Sequence, residues 1–83
     1  MKQLIYFTAG WCPSCQNMGP SISQLKKQKD IQIEEINVDY DAQYVEKYNV
    51  KNIPVLILIE NGNEIRRVVG YQDQNQIKSF ING

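Results

Sequence analysis

Apolar and polar residues divide this chain into short apolar runs and longer segments of helical period. The run over residues 4–7 has the length of a strand, and turn-prone residues follow it. Beyond them, apolar residues recur with the spacing of one helix face: Cys15, Met18, Ile22 and Leu25. The chain therefore opens with a predicted strand that leads into a helix. We expect this helix to begin near Pro13, because a proline at the first helical position loses no hydrogen bond.

The first predicted helix contains a proline and ends in a lysine-rich segment. Pro20 removes one backbone hydrogen bond and predicts a kink. We expect the helix to end among Lys26, Lys27 and Lys29, because their charges suit the negative end of the helix dipole.

A second strand and a short helix follow. Residues 31–38 alternate at first as a strand does, and Asp39-Tyr40-Asp41 then opens a short helix that runs through about Tyr48. Tyr40, Tyr44 and Tyr48 lie four positions apart. We expect this tyrosine stripe to pack against the sheet, and a partner-binding face is the alternative.

The last third of the chain predicts a hairpin and a helix. Residues 55–59 are continuously apolar, which indicates a strand buried on both faces at the centre of the sheet. Asn61-Gly62 predicts the hairpin turn, residues 64–69 the return strand, and Gly70 its end. Asp73 is expected to cap the final helix. Three apolar residues of that helix would cover one face of the sheet: Ile77, Phe80 and Ile81.

The element order is βαβαββα, an α/β fold, and 83 residues leave room for a single domain over residues 1–83. Nine basic residues balance nine acidic ones, so there is no positive field to attract nucleic acid. No signal peptide is predicted, and no apolar run approaches the roughly 20 residues that cross a bilayer. We therefore expect a cytoplasmic protein that is a monomer and binds neither nucleic acid nor membrane.

Both cysteines, Cys12 and Cys15, lie where the first strand meets the first helix. Residues three apart on a helix have Cβ atoms roughly 5 to 6 Å apart, near the separation that a disulfide requires. So small a loop makes a poor structural crosslink, so a redox role is the better interpretation. A zinc site usually takes four ligands, and this chain has two cysteines and no histidine. The only metal site that stays open is therefore one shared between two chains.

The sequence around these cysteines resembles the thioredoxin active site. The run over residues 7–15 reads Phe-Thr-Ala-Gly-Trp-Cys-Pro-Ser-Cys. Pro20 resembles the family's kink proline, Ile53-Pro54 its isoleucine and cis-proline, and Asn61-Gly62 and Gly70 its hairpin turn and late glycine. The resemblance covers nearly the whole chain. It implies a minimal thioredoxin fold, with a central four-stranded mixed sheet and three helices.

Three features depart from the family pattern. The chain begins at what resembles the family's second strand. Pro13-Ser14 stands between the cysteines where Gly-Pro is common. Tyr6 occupies the position of the usual buried aspartate, and Glu35 the position of a usual lysine.

Chemistry at the helix start assigns different roles to the two cysteines. Cys12 faces unsatisfied backbone N–H groups and the positive end of the helix dipole, which favour its thiolate, and Ser14 can add a hydroxyl donor. We expect Cys12 to attack a substrate disulfide and Cys15 to resolve the mixed disulfide. Glu35 is a candidate proton acceptor for Cys15. It shares strand parity with Ile31 and Ile33, which favours an inward orientation, and a solvated charge at the end of the strand is the alternative.

The resemblance also implies a substrate surface. Pro54 is expected to be cis and to expose the backbone of Ile53 for pairing with an extended substrate. Trp11 is expected to form apolar contact surface beside Cys12. The full set of expected contact residues is Trp11, Pro13, Ile53, Pro54 and Gly70.

The favoured function is an intracellular protein disulfide reductase that needs no cofactor beyond its redox-active Cys12–Cys15 pair. The resemblance implies disulfide-containing protein substrates and a thioredoxin reductase as electron donor. Two alternatives stay open: a glutaredoxin-like, glutathione-dependent thioltransferase, and a thioredoxin-like accessory subunit that is not an enzyme.

Overall fold

A computed structural model describes residues 2–28 and 31–82 and confirms the predicted element order. Its elements, in chain order, are β1 Lys2–Thr8, α1 Pro13–Lys26, β2 Ile31–Asn37, α2 Ala42–Lys47, β3 Val55–Glu60, β4 Asn63–Val69 and α3 Gln74–Asn82. The helix end expected among the lysines falls at Lys26, and Lys29 lies outside the described residues.

The strands form one mixed sheet in the order β2-β1-β3-β4. β1 runs parallel to β2 and antiparallel to β3, and β3 and β4 form the hairpin. β1 and β3 are thus the central strands. The apolar β3 is buried through Ile59, as its continuous hydrophobic run predicts.

The alternation of side chains along the central strands divides the core into two layers. Leu4 and Tyr6 of β1 pack with the buried faces of α1 and α3, whereas Ile5 and Phe7 pack on the opposite side, beneath α2. Ile77 and Ile81 of α3 are buried as predicted. The sheet therefore holds α1, with the cysteines at its start, against its own central strand.

The predicted tyrosine stripe is only partly correct. The rings of Tyr44 and Tyr48 stack with their centroids 6.1 Å apart and pack against the core. Tyr40 is 83% exposed, so the expectation that it packs on the sheet is wrong. The reason is that α2 begins only at Ala42, so helical spacing does not apply to Tyr40.

Candidate active site

The predicted strand-to-helix junction places Cys12 at the N-cap of α1. Its backbone is extended, with φ −99° and ψ 107°, and Pro13 occupies the first turn. The Cys12 N–H donates to the carbonyl of Ala9 at 3.3 Å, which closes the loop between β1 and α1. The first free N–H groups of the helix therefore point toward the Cys12 side chain.

The two cysteines are joined as a disulfide, with their Cα atoms 5.2 Å apart. The Cys15 N–H donates to Cys12 Sγ at 3.3 Å, and Ser14 Oγ lies 3.5 Å from the same sulfur. In the reduced protein such donors favour a thiolate at Cys12. Cys12 is 5% exposed to solvent and Cys15 is 1% exposed, so Cys12 is the more accessible of the pair.

The loop before β3 completes the surroundings of the cysteines. The Ile53–Pro54 peptide bond is cis, as the resemblance predicted. Ile53 packs against the cluster of Ala9, Cys12 and Cys15. The Gly70 N–H donates to the Pro54 carbonyl at 2.8 Å, and its φ of +98° is one that glycine adopts without steric cost. Residues that adjoin the ends of β1, β3 and β4 thus meet beside the cysteines.

Trp11 lies on the surface beside Cys12. Its side chain is 66% exposed, and its Nε1 donates to Asp39 Oδ2 at 2.9 Å. A groove of about 270 Å³ separates it from the helix α2 region. The groove is lined by Trp11, Val38, Val45, Val50, Lys51 and Ile53.

A polar pocket of about 230 Å³ adjoins Cys15 on the α1 side of the sheet, and Glu35, Thr8 and Asn37 are among its lining residues. Glu35 is therefore on the predicted face, but the inward, desolvated orientation is wrong and the solvated alternative is correct. Its side chain is 46% exposed and forms an ion pair of 3.0 Å with Lys26. Because β2 is an edge strand, the end of its inner face is reached by solvent.

Comparisons with family models and with known proteins agree with each other. The thioredoxin family model matches residues 1–83. The thioredoxin of Chlamydia pneumoniae is 38% identical over 80 residues, which cover 95% of this chain and 78% of that protein. This chain belongs to the thioredoxin family.

Solved thioredoxin structures have the same fold. A mutant thioredoxin from Halobacterium salinarum superposes with a TM-score of 0.91 at 33% identity, over 98% of this chain and 72% of that one. The thioredoxin of Fasciola hepatica gives a TM-score of 0.91 at 26% identity, over 98% and 78% of the two chains.

Thioredoxins are thiol-disulfide oxidoreductases, and the redox-active cysteine pair of that family is present here. The chain is therefore a thiol-disulfide reductase. Family membership implies disulfide-containing substrates, and thioredoxins need no cofactor beyond the cysteine pair. Within residues 2–28 and 31–82, no three metal-ligating side chains gather in one place, and none of the helices is long and apolar enough to cross a bilayer.

One contact in this thioredoxin site was not predicted from the sequence. Tyr6, at the position of the family's usual aspartate, donates from Oη to the Cys15 carbonyl at 2.6 Å. Burial raises the pKa of the Tyr6 phenol above its ordinary value, so the hydroxyl keeps its proton and serves as a donor. The sequence indicates this hydrogen bond only weakly, because a tyrosine within an apolar run is expected to contribute only its ring to the core.

Proposed function

We propose that this thioredoxin reduces protein disulfides with Cys12 as the attacking thiolate and Cys15 as the resolving thiol. The observation that carries this assignment is the asymmetry of the pair. Cys12 lies at the helix start with an N–H and a hydroxyl group near its sulfur, whereas Cys15 is itself buried within the first turn. Activation and access thus favour the same cysteine.

The reaction has two exchange steps. The Cys12 thiolate attacks one substrate sulfur, the substrate disulfide breaks, and a mixed disulfide forms as the first substrate thiolate leaves. The Cys15 thiolate then attacks Cys12 Sγ, so that the Cys12–Cys15 bond forms and the second substrate thiolate leaves. Two electrons pass to the substrate, and the protein is left oxidised.

The substrate binds across the surface that surrounds Cys12. Trp11 and Pro13 are exposed on one side of the sulfur, and the Ile53–Pro54 loop and Gly70 border the other. An extended substrate segment pairs with the Ile53 backbone, in the manner of strand addition. An apolar substrate side chain fits the groove between Trp11 and Ile53.

Glu35 accepts the proton that Cys15 loses before the second step. Its support is the polar pocket that Glu35 shares with Cys15, which has room for water between them. Because the carboxylate is partly exposed, it returns the proton to solvent directly. Glu35→Gln should slow turnover and change its pH profile, whereas Glu34→Gln, which alters a neighbouring carboxyl bonded to Tyr44, should do neither. An unchanged profile in Glu35→Gln would remove this residue from the mechanism.

The wider setting follows from the reaction. Residues 1–83 act as one domain and as a monomer in the cytoplasm, where a reducing poise suits a reductase. A flavin-dependent thioredoxin reductase restores the dithiol. Family membership supports this partner. Because the chain has zero net charge, direct surface contacts rather than long-range electrostatic attraction select the reductase.

Insulin reduction with dithiothreitol as electron donor tests the central assignment. Wild-type protein should accelerate the precipitation of the reduced insulin chains above the dithiothreitol background. Cys12→Ser should give the background rate, and Cys15→Ser should accumulate a mixed disulfide that mass spectrometry detects. If wild-type protein failed to exceed the background, the accessory-subunit alternative would replace this proposal.

A further inference from the structure

Tyr6 connects the central strand to the first turn of α1. Its side chain is 2% exposed, and its Oη donates to the Cys15 carbonyl at 2.6 Å. Tyr6 also lines the polar pocket beside Cys15. This hydrogen bond bridges the loop that carries Cys12. It therefore fixes the backbone of Cys15 from a residue outside the helix.

The first turn of α1 has particular need of such a contact. Pro20 lies inside the helix and has no N–H, so the carbonyl of Gln16 loses the donor that a regular helix would supply. Strand-side contacts hold this turn instead. The Gln16 side chain donates to the Ala9 carbonyl at 2.9 Å, and Tyr6 holds the neighbouring carbonyl of Cys15, whose second lone pair is available.

We propose that Tyr6 is a positioning residue for the resolving step, in which its hydroxyl holds the Cys15 backbone so that Cys15 Sγ stays aligned with Cys12 Sγ. This inference rests on the proposed roles of the two cysteines. In that step the Cys15 thiolate attacks Cys12 Sγ, the Cys12–Cys15 bond forms, and the bond from Cys12 to the substrate sulfur breaks. The electron pair leaves on the substrate thiolate.

The contact acts on one step and not on the other. Attack by Cys12 on a free disulfide depends on the Cys12 sulfur and its donors, which Tyr6 does not bond. Attack by Cys15 is intramolecular, and its rate depends on how well the sulfurs are held in line. Loss of the Tyr6 hydroxyl should therefore slow resolution selectively.

Stopped-flow reaction of the reduced protein with dithiobis(nitrobenzoate) separates the two steps. Attack by Cys12 releases one coloured thiolate, and resolution by Cys15 releases the second. In Tyr6→Phe the first release should stay within about twofold of wild type, whereas the second should slow about three- to tenfold, the effect of one buried hydrogen bond. Cys15→Ser identifies the phases, because it releases only the first thiolate.

Tyr44→Phe is the matched control. It removes a tyrosine hydroxyl that bonds Glu34 at 3.2 Å, from a residue in the other layer of the core. It should leave both releases unchanged. An unchanged second release in Tyr6→Phe would overturn the inference, and an equal loss in both releases would also overturn it by giving Tyr6 a general structural role. If wild-type protein released no second thiolate, the proposed function itself would fail.

Discussion

Trp11 and Asp39 are joined across 28 positions of the chain by a hydrogen bond of 2.9 Å from the indole Nε1 to the carboxylate Oδ2. Trp11 precedes Cys12, and Asp39 lies in the turn that follows β2. The backbone of Asp39 is itself held within the turn, because its N–H donates to Asn37 Oδ1 at 2.9 Å. The exposed aromatic ring beside Cys12 is thus held in one orientation by a residue of the connection that follows β2.

Replacement of Asp39 by alanine should release Trp11 with little effect on folding. Because the bond is exposed, the free energy of unfolding should change by less than about 0.5 kcal/mol. The Michaelis constant for insulin should rise about two- to fivefold, in the range of one lost hydrogen bond. Trp11 is the chain's single tryptophan, so its fluorescence spectrum reports the change directly.

Asp41→Ala is the matched control for this prediction. Asp41 lies two positions further along, and its side chain makes no capping hydrogen bond to α2. It should change neither the fluorescence spectrum nor the Michaelis constant. A fluorescence change in Asp39→Ala without any change in insulin reduction would show that the orientation of Trp11 is irrelevant to substrate binding.

The sequence was a good guide to the fold because hydrophobic periodicity reports which face of an element is buried. The helical spacing from Cys15 to Leu25 identified the face of α1 that packs on the sheet, and the apolar run over residues 55–59 identified a central strand. The position of the cysteines at a strand-to-helix junction then followed from local pattern alone.

Hydrophobic periodicity does not show how deeply a side chain is buried or which individual contacts it makes. Strand parity placed Glu35 on the correct face, but only the strand order shows that β2 is an edge, where Lys26 reaches the carboxylate. The Tyr6 hydroxyl bond depends on the distance between β1 and α1, which a single sequence does not encode. The site's main chemistry was therefore predictable, and the contacts that adjust it were not.

Glu64 should contribute to stability in a pH-dependent manner. Hydrogen bonds from Arg67 at 2.7 and 2.8 Å lower the pKa of the Glu64 carboxyl below its ordinary value of 4.5. A lowered pKa in the folded state means that the stabilisation is present above about pH 4.5 and is lost as the pH falls through the folded-state value. Since both side chains are about one-third exposed, the contribution should stay below about 1 kcal/mol.

Urea unfolding of wild type and Glu64→Gln across this pH range measures the effect. The wild type should be more stable at neutral pH, and the two curves should converge in acid. Glu46→Gln, which changes an exposed carboxyl near the end of α2, should run parallel to wild type. A stability difference between wild type and Glu64→Gln that persists below the folded-state pKa would contradict the ionic origin of the effect.

The start of α3 should depend on a reciprocal pair of capping hydrogen bonds. Asp73 Oδ1 accepts from the Gln76 N–H at 2.8 Å, and Gln76 Oε1 accepts from the Asp73 N–H at 2.8 Å. Asp73→Ala should therefore lower the free energy of unfolding by about 1 kcal/mol. Gln74→Ala, at an exposed position in the same turn, should leave it nearly unchanged. Equal effects of the two substitutions in urea unfolding would show that the cap does not stabilise the protein.

Two isoleucines of the hairpin, Ile57 and Ile65, should differ in their effect on stability because they differ in burial. Ile57 in β3 is 0% exposed and packs in the layer beneath α2, whereas Ile65 in β4 is 46% exposed. Ile57→Ala removes buried methyl groups and leaves a cavity, so it should lower the free energy of unfolding by about 2 to 5 kcal/mol. Ile65→Ala should cost less than about 1 kcal/mol, because its side chain already contacts water. Urea unfolding of both variants, followed by circular dichroism, measures the difference. Similar losses in the two variants would contradict burial as the cause of the difference.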